Sequence, residues 1–188
     1  SFLTLLLGAS LAELCAGRWK TPAALALLFA GLCGFGVYRI AATPVADVPG
    51  SALHAATALV LVDIQNDYFP GGRIELEGSA EASLRAGEIL SLFRQNHLRV
   101  VHIRHLSTRP GATFFLPGTK GAEIHENVRP LPAETVIEKH YPNSFRDTGL
   151  LEILKKEGIT RLVIAGMMTH MCVDATTRAA FDFGFDCT

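Results

Sequence analysis

The chain has 188 residues, of which 49% are hydrophobic and 19% charged, with a formal net charge of −1. That length suits one domain with an appendage, and no basic stripe is present to follow a nucleic-acid backbone. Four cysteines (Cys15, Cys33, Cys172, Cys187) form neither a CxxC pair nor a zinc-like spacing, so they read as free thiols of a reducing compartment.

The apolar excess lies at the front. Thr21 to Ala42 carries no charge before Arg39 and is long enough to cross a bilayer. The run before it, SFLTLLLGASLAELCAG, is apolar apart from Glu13, and the RWK between them offers cations and a tryptophan suited to a membrane interface. No basic region precedes the first run, as a signal peptide would need. Residues 1–42 therefore read as an apolar helical segment of one or two membrane helices, with a buried Leu/Ala-rich hairpin as the alternative. This stretch resembles the last helices of DoxX-type membrane proteins. Residues 43–56 read as a linker, with Pro, Gly and Ser and little periodicity.

From residue 57 the pattern alternates between strand and helix. Ala58–Gln65 is a continuous apolar run, as in a parallel strand covered on both faces. The stretch SAEASLRAGEILSLFRQNH has helical spacing, with Leu84, Ile89, Leu92 and Phe93 on one face. Strands are expected at Arg99–His105, Thr135–His140 and Arg161–Gly166. Ser144 with Asp147 three residues on has the pattern of a capping box, and Gly158 suits the end of that helix. The stretch GMMTHMCVDATTRAAFDFG leads into a last helix, and FDCT opens a fifth strand, so a final strand and helix are expected beyond Thr188. The fold predicted for residues 57–188 is α/β, a doubly wound, mostly parallel sheet in three layers.

Ligands of such sheets bind outside the carboxyl ends of the strands. Asp63, Lys139 and Cys172 all fall there, a carboxylate, an ammonium and a thiol facing one crevice. Each has a plainer alternative: Asp63 a turn cap, Lys139 a solvated strand end, Cys172 a small buried hydrophobe. Together they permit nucleophilic catalysis. A helix start and a nearby ammonium would stabilise a thiolate, and Asp63 could take the thiol proton and return it to a leaving group.

The motifs LVDIQNDYF, VIEKHYPNSF and GMMTHMCVDATTRAAFDFG resemble those of the isochorismatase-like cysteine hydrolases, over about Ala58 to the end of the chain. The resemblance implies an Asp63–Lys139–Cys172 triad and a thioester intermediate in hydrolysis of a small amide or related C–N bond. It also implies a cis peptide between Met167 and Met168, which would set the Met168 and Cys172 N–H groups as an oxyanion hole. Assembly of several copies follows from the same likeness, and the free thiols suggest a cytoplasmic setting for the hydrolase domain, with membrane association if residues 1–42 span a bilayer. Nicotinamidases carry an Asp-x-His metal motif where this chain has His105 and Ser107, so neither a metal nor any other cofactor is expected. Members that cleave the isochorismate vinyl ether lack the cysteine.

Tyr68, His105, Phe114, Phe115, Tyr141, Asn143 and His170 are the candidate pocket residues for a small-molecule substrate. Gln65 and Asn66 read as loop supports, His102 as a core histidine, Met171 and Cys187 as packing. Other readings of the last motif are a copper(I) site of Met, His and Cys, and a redox-sensing Cys172 that would need Cys187 nearby. A different class of function is an inactive interaction module of the same fold, truncated and fused to membrane helices. A membrane-anchored hydrolase, placed outside by the RWK turn, is a further alternative.

Overall fold

A computed structural model describes residues 56–188; the readings for residues 1–42 and for the linker through residue 55 lie outside them. Among the described residues no helix is long and apolar enough to cross a membrane. The elements are β1 (Thr57–Val62), α1 (Ser79–Gln95), β2 (Arg99–His105), β3 (Thr135–Lys139), α2 (Leu150–Lys156), β4 (Arg161–Gly166), α3 (Asp174–Asp182) and β5 (Asp186–Cys187). All five strands are parallel, in the order β3-β2-β1-β4-β5.

Every residue of β1 is buried, because the strand is central and covered on both faces. Its side chains alternate between two cores. Ala58, Val60 and Val62 join Leu150, Leu154 and Ala180 from α2 and α3. Leu59 and Leu61 join Ala86, Leu90 and Phe93 from α1. Period-two alternation between two apolar layers is what makes the run continuously hydrophobic.

The buried face of α1 differs from the expected one. Ser83, Ala86, Leu90 and Phe93 point inward, whereas Leu84 is 57% exposed. Small residues let the helix approach the sheet, and Ser83 has its own polar partners: its Oγ donates to the Ala80 carbonyl and accepts from Asn127 Nδ2. Size and hydrogen bonding thus outweighed hydropathy.

The Ser144–Asp147 capping box is not formed. Helix α2 starts only at Leu150, after Gly149, and Ser144 is wholly buried against Thr176 of α3. The end of α2 is as the sequence suggests. Gly158 has φ +67, its N–H donates to the Lys155 carbonyl, and Ile159 N–H donates to Leu154, the paired bonds of a Schellman turn.

Candidate active site

Chain connections leave β1 towards β2 and β4 towards β5, in opposite directions, so a crevice opens where β1 and β4 lie side by side. Gly166 closes the backbones tightly there: a Cβ on it would stand 2.0 Å from the Val62 carbonyl oxygen. Asp63 follows β1 directly, fully buried with φ +52, its N–H donating to Ile103. Lys139 ends β3, two strands away, and is buried. Its Nζ lies 2.8 Å from Asp63 Oδ2 and donates to the Pro142 carbonyl at 2.8 Å.

Cys172 lies in a π-helical turn, Thr169–Val173, that runs into α3; such turns are frequent at functional sites. The Met167–Met168 peptide before it is cis. The Cys172 Sγ, a carboxylate oxygen of Asp63 and a ring nitrogen of His105 all lie within 4.8 Å of one another.

The electrostatics differ from an activated thiolate. Burial, then the Asp63 carboxylate, push the Cys172 thiol up to about 12 against the pull of Lys139. Burial also raises Asp63 to about 6, although Lys139 opposes it. A buried environment penalises both anions more than one ammonium compensates. Burial and the facing carboxylate thus oppose the low-pKa thiol expected from the sequence, and only Lys139 favours it. The same geometry disfavours a cation. Asp63, His105 and Cys172 could offer three ligand atoms, but the Lys139 ammonium already faces the carboxylate they would rely on.

The isochorismatase domain family model matches residues 57–188. The chain belongs to the isochorismatase family. An uncharacterised isochorismatase family protein from Bacillus subtilis, YddQ, is 50% identical over 131 residues, 70% of this chain and 73% of its own. A crystal structure from Oleispira antarctica assigned to the isochorismatase hydrolases shares 48% identity with a TM-score of 0.68, covering 72% of this chain and 73% of that one. That of N-carbamoylsarcosine amidase from Thermoplasma acidophilum shares 28% identity with a TM-score of 0.65, covering 70% and 78%. With these relatives, the chain is a hydrolase of the isochorismatase family.

Around this isochorismatase-type crevice the expected pocket residues divide. Tyr68 is buried, and burial, then the Asp63 carboxylate, hold its phenol protonated well above the usual range. His105 lies with its Nδ1 3.9 Å from Asp63 Oδ2; burial, then Lys139, His140 and Arg109, lower it to about 4, so it is neutral. Phe115 is buried and packs edge-on against Tyr68 and Phe114, with ring centroids 4.9 and 5.2 Å apart. The others have contacts or exposure of a different kind. Tyr141 lies under the Arg146 guanidinium, Asn143 Oδ1 accepts the Phe145 N–H in a local turn, and His170 is exposed. Met171 is also not packed, being 44% exposed.

Gln65 is a support, as its amide clamps the His105 backbone and the Ala122 carbonyl. Asn66 Nδ2 donates to Lys120. Cys187 pairs in register with Leu162 at the start of β4, roughly 13 Å of strand from the end that leads to Cys172, so the redox pairing is not built. Sequence reading missed Asp67 and Thr176. Asp67 is a buried acid one turn beyond Asp63, and Thr176 a buried polar residue in an otherwise ordinary helix; the first had a signal, a second acid in a short apolar stretch.

Proposed function

We propose that the chain is a cysteine-nucleophile hydrolase of small amides or related C–N bonds. The observation that carries this is the meeting of Asp63, Lys139 and Cys172 at the carboxyl ends of β1, β3 and β4. That a relative of the same fold is an amidase supports the C–N bond as the target.

In this reading Sγ attacks the carbonyl carbon while its proton passes to Asp63. Attack and deprotonation are coupled, because a free thiolate is disfavoured in the resting site. Backbone N–H groups of Met168 and Cys172 receive the developing oxyanion. Asp63 then gives its proton to the departing nitrogen, leaving an acyl thioester and free amine. Water attacks the thioester with Asp63 again as base, and the carboxylic acid and thiol are released. Lys139 keeps Asp63 ionised, opposing its burial.

The test is turnover across a panel of small amides, ureas, lactams and nicotinamide. Cys172→Ala is expected to abolish it, and kcat/KM of the parent to fall as pH drops through about 6, where Asp63 gains its proton. Hydrolysis surviving in Cys172→Ala would overturn the covalent mechanism.

A further inference from the structure

One wall of the crevice hangs from a carboxylate outside the triad. Asp67 is 4% exposed. Its Oδ2 accepts the Phe115 N–H at 2.6 Å and its Oδ1 accepts the Arg73 N–H at 3.2 Å. Room for it comes from Gly121, since a Cβ there would stand 2.0 Å from Asp67 Oδ1. Phe115, held by this bond, has φ +54, a conformation a bulky aromatic residue rarely adopts and one that surrounding structure must enforce. Its carbonyl is held too, accepting the Ser107 N–H at 2.9 Å.

With both backbone groups fixed, the Phe115 ring cannot drift. It meets Tyr68 edge-on and lies 5.8 Å from the His105 ring. Of these, His105 adjoins the reacting groups, with a ring nitrogen within 4.8 Å of both the Asp63 carboxylate and the Cys172 sulfur. A chain of contacts therefore runs from Asp67 through Phe115 and His105 to Cys172. A cleft of about 690 Å³, lined by Phe69, Arg73, Lys120, His125 and Arg129, lies behind Asp67. Asp67 thus borders open space on one side while it holds the Phe115 backbone on the other.

We propose that Asp67 is a positioning residue that, through Phe115, sets the width of the pocket before Cys172 and restricts the site to small acyl groups. This rests on Cys172 being the nucleophile that the substrate must reach.

The test compares alkylation of Cys172 by N-ethylmaleimide and by N-(1-pyrenyl)maleimide, which share chemistry and differ in bulk, with the modified peptide identified by mass. In the parent the small reagent is strongly favoured. Asp67→Ala and Gly121→Ala should each raise the pyrenyl-to-ethyl rate ratio roughly five- to tenfold, the scale of one lost hydrogen bond. Asp67→Asn should stay within about twofold of the parent, because its amide oxygen still accepts the Phe115 N–H. Gly121→Ala should add nothing once Asp67 is Ala, as no carboxylate remains to be displaced. Leu90→Ala, in the same core, should lower the melting temperature and leave the ratio alone. An unchanged ratio in Asp67→Ala and Gly121→Ala, or an equal rise in Leu90→Ala, overturns the proposal. If Asp67→Ala does not fold, Gly121→Ala against Asp67→Asn decides in the same way: a shift in the first alone supports it, and equal ratios overturn it. Turnover plays no part in these rates, so an alkylatable Cys172 whose loss spares hydrolysis would count against the proposed function alone.

Discussion

The Asp63 carboxylate faces the Cys172 sulfur, both buried, and this governs how the thiol should respond to substitution. Asp63 raises the thiol and Lys139 lowers it. Asp63→Asn removes the first influence and leaves the second, so the thiolate fraction should grow. Iodoacetamide should then label Cys172 faster at neutral pH, by on the order of tenfold for each unit the thiol falls. Hydrolysis should drop by roughly 10²- to 10⁴-fold, the usual worth of a general base. Labelling and turnover falling together would remove Asp63 from the base role. Asp63, Lys139 and Cys172 were legible in the sequence because each polar side chain closes or follows an apolar run. The state of the thiol was not legible: a helix start suggests stabilisation of an anion, whereas burial and a facing carboxylate, both products of the tertiary fold, reverse it.

At the scale of elements, the loop after β3 is tied to α3 by one hydroxyl. Thr176 Oγ1 accepts the Ser144 N–H at 3.1 Å and bonds Ser144 Oγ at 2.8 Å, in the loop whose Pro142 carbonyl receives Lys139 Nζ. Thr176→Val should leave two buried polar groups without a partner, costing about 1–3 kcal/mol. A lower melting temperature and a reduced kcat are expected, with Thr176→Ser restoring both. No such joint could be read from sequence. Ser144 has the spacing of a helix cap, and only the placement of α3 over the loop gives it a different partner. The end of α2 was readable because a glycine stop depends on local backbone geometry alone.

For the whole molecule, acid stability rests on a partly buried knot of charged side chains. Glu134 accepts from both Arg94 Nε and Nη2 and lies 2.9 Å from His102 Nε2, joining α1, β2 and the approach to β3. Although burial alone would raise Glu134, the hydrogen bonds from Arg94, Leu131 and His102 outweigh it and lower the carboxyl to about 2. A depressed acid stabilises the fold above its ordinary value of 4.5, and that contribution is lost as pH falls towards 2. His102, lowered chiefly by burial, acts in the same direction, stabilising when neutral and losing this as it protonates. Asp63 acts oppositely: raised to about 6, it stabilises below 3.8 and loses this as pH climbs through 6. Glu134→Gln should therefore lower the urea midpoint at pH 7 and flatten its decline between pH 5 and pH 3. A parallel downward shift at every pH would assign the knot a packing role only. The parallel sheet itself was legible as a whole, from apolar runs alternating with helical spacing. The inward face of α1 and the Phe115 wall were not, because each depends on small or buried polar residues whose partners lie far along the chain.

The high proton affinity of Cys172 has a consequence for how the molecule survives between encounters with substrate. Oxidants and stray electrophiles attack thiolates, and burial beside Asp63 favours the protonated sulfur and leaves Cys172 5% exposed. An unfolded copy would present an ordinary, more vulnerable thiol. With Cys172 as the proposed nucleophile, the finished sheet would thus shield the sulfur until a substrate fits the crevice.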